Sequence, residues 1–154
     1  ERGLRGGTEN VPAIVGFGVA CEIAAARLKE LGPRLAVLRE RLERGLTNMG
    51  AVIFSANAPR LPNTSYFAFR GIHGETLVIE LDKAGYAVGS GAACSSTDNA
   101  PPGTLLAMGV EPELARGAVR FSLGADNSAE QVDGFLQALS GVLQRLRTMQ
   151  AVAV

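Results

Sequence analysis

Cys94 lies in Gly89-Ser90-Gly91-Ala92-Ala93-Cys94-Ser95-Ser96, a run of small residues with no large side chain to bury it. The nucleophilic form of a thiol is the thiolate, and reactive thiols occupy accessible settings of this kind. Cys94 is therefore the candidate nucleophile, set against a small polar turn that happens to contain a cysteine. Arg120 lies in the run Ala118-Val119-Arg120-Phe121-Ser122-Leu123, with small neighbours on its own face. A guanidinium grips a carboxylate through two parallel hydrogen bonds, which makes Arg120 a candidate for amino-acid recognition. The bland alternative is a solvated strand arginine. Gly6-Gly7-Thr8 stands ahead of a helical pattern. Backbone N–H groups and a hydroxyl at a helix N-terminus form a natural phosphate site, although glycine and threonine are also ordinary capping residues. His73, in the turn Gly71-Ile72-His73-Gly74, reads as solvent-exposed. No third residue is placed to make it a base for Cys94.

The elements that position these residues follow from periodicity. Ile14, Phe17, Cys21, Ala24, Leu28 and Leu31 recur at spacings of three and four and form one apolar helical face, on which Cys21 is expected in a core. Pro12 suits the first turn, with Thr8 or Asn10 as cap, and Gly16 and Gly18 permit close approach of a neighbouring backbone. This helix is expected to lie against another domain. Gly32-Pro33 is expected to break or kink it, after which Leu35, Leu38, Leu42 and Leu46 carry a second run to Gly50.

Residues 51–56 and 64–69 read as strands, 75–84 as a short helix, 86–88 as a short strand that delivers the Cys94 loop, and 103–108 as a helix. Residues 118–123 are the last strand, with Val119, Phe121 and Leu123 on one face and Ala118, Arg120 and Ser122 on the other. Ser128-Ala129-Glu130-Gln131 matches a capping box and opens a closing helix expected to fray after Arg147. The fold class is α/β, an α+β small domain with a mostly antiparallel sheet backed by helices.

The chain has 154 residues, 47% hydrophobic and 19% charged, enough for one domain with a real core. Its formal net charge is zero, which argues against nucleic-acid binding through a basic field. No apolar run is read as approaching the roughly 18 residues that span a bilayer, so no membrane partner is expected. No signal peptide is visible, and the absence of an initial methionine raises the expectation of a processed product or a piece of a longer protein. Two cysteines and one histidine leave no disulfide framework and no basis for a Cys/His zinc site, so no metal is expected and the location is expected to be cytoplasmic.

Four ordered segments carry a resemblance. They are Arg5-Gly6-Gly7-Thr8-Glu9-Asn10-Val11-Pro12, Arg60-Leu61-Pro62-Asn63-Thr64-Ser65, the Gly89–Ser96 run, and Val119-Arg120-Phe121-Ser122-Leu123-Gly124. Together they resemble the C-terminal part of NifS/IscS-type cysteine desulfurases, in the class V aminotransferase group, over nearly the whole chain. The resemblance implies the C-terminal domain of a fold-type-I enzyme that uses pyridoxal 5'-phosphate (PLP). Residues 1–20 would be a remnant of the PLP-binding large domain and residues 21–154 the small domain with the cysteine loop. It implies a homodimer that converts L-cysteine to L-alanine and passes the sulfur to an acceptor such as an iron–sulfur scaffold protein. Cys94 is similar to the residue that takes the sulfur as a persulfide, Arg120 to the one that holds the substrate carboxylate, and Thr8 to the one that reaches the PLP phosphate of the other subunit.

The family's PLP lysine has no match here. Lys29 and Lys83 lack its histidine–lysine context, so the chain alone is expected to be inactive. Ala92 stands where serine is common, and Gly124-Ala125-Asp126-Asn127 replaces a Gly-Arg and threonine pair. The alternatives are another class V enzyme, such as a selenocysteine lyase or aminotransferase, a non-catalytic binding or dimerisation module, and a thiol enzyme pairing Cys94 with His73.

Overall fold

The computed structural model describes residues 3, 6–91 and 100–152. Among these, four strands form one antiparallel sheet in the order β1-β2-β4-β3. The strands are β1 (Ala51–Ile53), β2 (Thr64–Phe69), β3 (Gly89–Ser90) and β4 (Val119–Ser122). Five helices accompany them: α1 (Val11–Asn48), α2 (Gly74–Lys83), α3 (Gly103–Ala107), α4 (Pro112–Arg116) and α5 (Ala129–Val152).

Side chains alternate across a strand, and this sheet is covered on both faces. On one face Phe67, Phe69, Val119 and Leu123 pack with Leu35, Leu38, Leu42 and Leu46 of α1, Leu77 and Leu81 of α2, and Val132, Phe135 and Leu139 of α5. On the other, Ala68 and Ala118 pack with Phe54, Leu105 of α3, and Leu114 and Ala115 of α4. The alternation read for β4 holds. Val119 and Leu123 are buried and Phe121 packs on the main core, whereas Arg120 and Ser122 are exposed.

Helix α1 departs from the sequence reading in three ways. Asn10 caps it, its side chain accepting from the Ala13 N–H at 3.2 Å, but the helix runs through Gly32-Pro33 without a break. Proline removes the hydrogen bond to Lys29, whose carbonyl belongs to an exposed residue that water can reach. Second, Cys21 is exposed and not in a core. All of residues 11–30 are exposed, with Phe17 at 74% and Leu28 at 69%, so the apolar face exists but none of the described residues covers it. Packing of α1 begins at Leu31. Third, an 18-residue window of α1 reaches a mean hydropathy of 1.6 with none of it buried. The stretch is thus as long and apolar as a bilayer span, contrary to the expectation. Its alanines and glycines diluted a pattern counted on large aliphatic residues.

Other boundaries shifted for local reasons. β1 is shorter than 51–56 because Ser55 turns the chain at φ +56°, after Phe54 N–H has bonded to the Tyr66 carbonyl. β3 lies at 89–90 and not at 86–88, since those two residues face Arg120 and Val119 of β4. Helix α4 was not foreseen, because its five residues are too few to show a period. The capping box forms in both directions. Gln131 N–H donates to Ser128 Oγ at 3.3 Å, and Ser128 N–H donates to Gln131 Oε1 at 3.1 Å. Helix α5 does not stop at Arg147 but continues to Val152, with the Arg147 guanidinium reaching the Met49 carbonyl.

Candidate functional site

Arg120 sits in the middle of β4, flanked in register by Tyr66 of β2 and Gly89 of β3. All three lie on the face that carries the α3 and α4 cluster, against which Tyr66 is packed. Arg120 is exposed. Gly89 has no side chain, and a Cβ built there would meet Arg120 Nη2 at 3.7 Å and Nε at 3.9 Å. The guanidinium therefore lies along β3 over this glycine, with no hydrogen-bond or ion-pair partner among the described residues.

Tyr66 was not singled out in the sequence. Its ring packs edge-on against Phe54, with centroids 5.2 Å apart. Its hydroxyl occupies the place a side chain on Gly91 would need, and the Ala118 Cβ stands 2.9 Å from that point. Burial pushes the phenol up from its ordinary value, and the Arg120 charge partly opposes this, so Tyr66 stays protonated and able to donate. The alternate glycines 89 and 91, the first facing Arg120 and the second Ala118, were the sequence signal for a side-chain-free strip here.

The Arg60–Ser65 motif supports β4 from the other end. Arg60 grips Glu43 of α1 with Nη1–Oε1 at 2.5 Å and Nη2–Oε2 at 2.8 Å. Arg39 Nε lies 4.0 Å from the same carboxylate. The fully buried Ser65 Oγ is directed at it without completing a hydrogen bond. Asn63 then brackets Leu123. Its carbonyl accepts from the Leu123 N–H at 2.8 Å, and its side-chain amide donates to the Leu123 carbonyl at 3.0 Å. Arg34 of α1 donates to the Ala125 and Asn127 carbonyls, so an arginine from the helix secures the 124–127 turn that departs from the family pattern.

The structure does not bring Thr8 or His73 to Arg120. Thr8 is exposed ahead of α1, and about 30 Å of helix separates Val11 from Leu31, where packing begins. Cys94 lies outside the described residues. On either side of that segment, Gly91 and Ala100 line one small cleft with Pro102, Ala115 and Ala118. His73 is the N-cap of α2 and shares a cleft with Arg70, Glu111 and Glu113. Among the described residues no cluster of His, Cys, Asp and Glu could hold a metal.

The profile of the family described as Aminotransferase class-V matches residues 1–135. The chain belongs to this family. It is 43% identical over 151 residues to a cysteine desulfurase of Gluconacetobacter diazotrophicus, covering 97% of this chain and 38% of that one. It is 43% identical over 150 residues to cysteine desulfurase IscS 1 of Archaeoglobus fulgidus, covering 97% and 39%. A solved NifS-like protein superposes with a TM-score of 0.80 at 40% identity, over 93% of this chain and 36% of that one. The chain thus spans about two fifths of the length of the curated relatives it matches.

Class-V aminotransferases and their desulfurase relatives use PLP. The residues present fit the margin of such a site and not its anchor. Arg120 offers a carboxylate grip over a glycine strip, and Thr8 a hydroxyl ahead of a long helix. The amine needed to hold the cofactor covalently is missing from this set: Lys29 lies in the exposed half of α1 and Lys83 is paired with Glu80 at 2.6 Å.

Proposed function

We propose that this chain is the C-terminal portion of a PLP-dependent cysteine desulfurase that acts as a homodimer in the cytoplasm. In the whole protein, L-cysteine and the Cys94 thiol become L-alanine and a Cys94 persulfide. The substrate's carbon–sulfur bond breaks and a sulfur–sulfur bond forms. The persulfide sulfur then passes to an acceptor protein, for which an iron–sulfur scaffold is the proposed type. Arg120 holds the substrate carboxylate. Thr8 serves the cofactor phosphate bound across the dimer.

The observation that carries this reading is the combination of near-complete coverage of this chain by cysteine desulfurase relatives with an exposed Arg120 over a glycine strip. The uncovered apolar half of α1 supports a surface that the rest of the protein, or a second copy, occupies. Neither lysine is set to anchor PLP, so the 154-residue chain alone is inactive.

The test uses the full-length enzyme with L-cysteine. Cys94→Ala abolishes persulfide formation while His73→Ala retains it; equal dependence on both would favour a Cys–His thiol enzyme. Arg120→Ala raises KM for cysteine by about 10- to 100-fold, the value of a hydrogen-bonded contact to a charged group. An unchanged KM removes Arg120 from the site. Alanine release by the purified 154-residue chain with added PLP would sink the claim that it is inactive alone.

A further inference from the structure

We propose that Tyr66 is a second contact to the substrate carboxylate, working beside Arg120; this rests on the desulfurase reading above. Tyr66 and Arg120 are direct cross-strand partners, so their side chains leave the sheet on one face. Gly89 is the partner of Arg120 on the other side, and the Gly91 N–H extends the pairing by donating to the Ala118 carbonyl at 2.8 Å. The Arg120 guanidinium lies over Gly89, while the Tyr66 hydroxyl fills the Cβ position of Gly91. Same-face residues along a strand are about 7 Å apart. Two donors at that spacing point over one strip without side chains. A hydrogen bond of about 2.8 Å to each, plus the width of a carboxylate, spans the gap.

One carboxylate oxygen then accepts from the guanidinium and the other from the phenol. The phenol suits this because it keeps its proton where Arg120 is charged. Its position does not depend on the hydroxyl, since Phe54 holds the ring by its edge. Tyr66→Phe therefore removes the donor and leaves the packing in place.

The experiment measures turnover of L-cysteine by the full-length enzyme, with competitive inhibition by L-alanine and by ethylamine, which matches alanine without its carboxylate. In Tyr66→Phe, KM for cysteine is expected to rise about tenfold, the lower end for a hydrogen bond to a charged group, with kcat changed less than twofold. Inhibition by L-alanine weakens by the same factor and inhibition by ethylamine stays as it was. Unchanged inhibition by L-alanine would overturn the proposal. So would equal weakening for both inhibitors, which is the mark of a merely structural role. If Arg120→Ala loses the preference for alanine over ethylamine and Tyr66→Phe keeps it, this inference fails and the desulfurase reading stands. A full-length wild-type enzyme that does not convert cysteine overturns both.

Discussion

Glu43→Gln removes one charge from the pair that ties α1 to the segment entering β2. The side chains of Glu43 and Arg60 are only 13% and 18% exposed, and they share two contacts of 2.5 and 2.8 Å. Breaking a fully buried pair costs about 3–5 kcal/mol, whereas an exposed pair is worth about 0–1 kcal/mol. This one lies between those limits, and solvent screening at its edge brings the expected loss to about 2 kcal/mol. Glutamine keeps the shape but leaves the Arg60 charge without its counter-ion, with Arg39 close by. Burial pushes the Glu43 carboxyl up, but the Arg60 hydrogen bond, the Ser65 hydroxyl and the charges of Arg60 and Arg39 together hold it below the usual carboxylate range.

A folded value below the unfolded one means that the unfolded chain binds the proton more readily. The contribution is therefore present above the unfolded value of about 4.3 and is lost as pH falls through the folded value. Urea unfolding of the 154-residue chain, followed by circular dichroism at pH 7, 5 and 3, gives the difference between wild type and variant at equal m-value. The gap should be near 2 kcal/mol at pH 7 and shrink toward pH 3. A gap of the same size at pH 3 would refute the charge argument, and no gap at pH 7 would refute the clamp itself.

Gly91→Ala should destabilise the chain by about 1–3 kcal/mol, because the new methyl group falls on the Tyr66 hydroxyl and within 3.0 Å of Pro102 Cγ. Tyr66→Phe in the same chain should recover part of that loss, and strictly additive unfolding free energies would show that the two positions do not touch. Ser128→Ala should cost about 1 kcal/mol by removing the acceptor of the Gln131 N–H. Thermal unfolding reads this directly, and an unchanged midpoint would mean that the cap adds nothing to the start of α5.

Much of the fold was legible because its signals are local. Strand β2 falls at Thr64–Phe69 as read, with Phe67 and Phe69 on the main core and Ala68 buried on the opposite face. The Leu35, Leu38, Leu42 and Leu46 stripe is buried as read, because spacings of three and four put those residues on one helical face. Local signals also misled. Pro33 reads as a helix breaker, yet an exposed helix backbone tolerates the lost hydrogen bond. Cys21 reads as a core residue, yet an apolar face is buried only when a partner surface meets it.

The sequence by itself determined the Arg120 strand, the capping box and the four ordered motifs, since each depends on residues within a few positions of one another. Only the tertiary structure decided that Tyr66 stands beside Arg120, that Gly89 and Gly91 clear a strip for both, and that Glu43 secures Arg60. These are cross-strand and helix-to-loop pairings. Register between strands distant in sequence is set by which faces bury their apolar side chains together, and no local period carries that information.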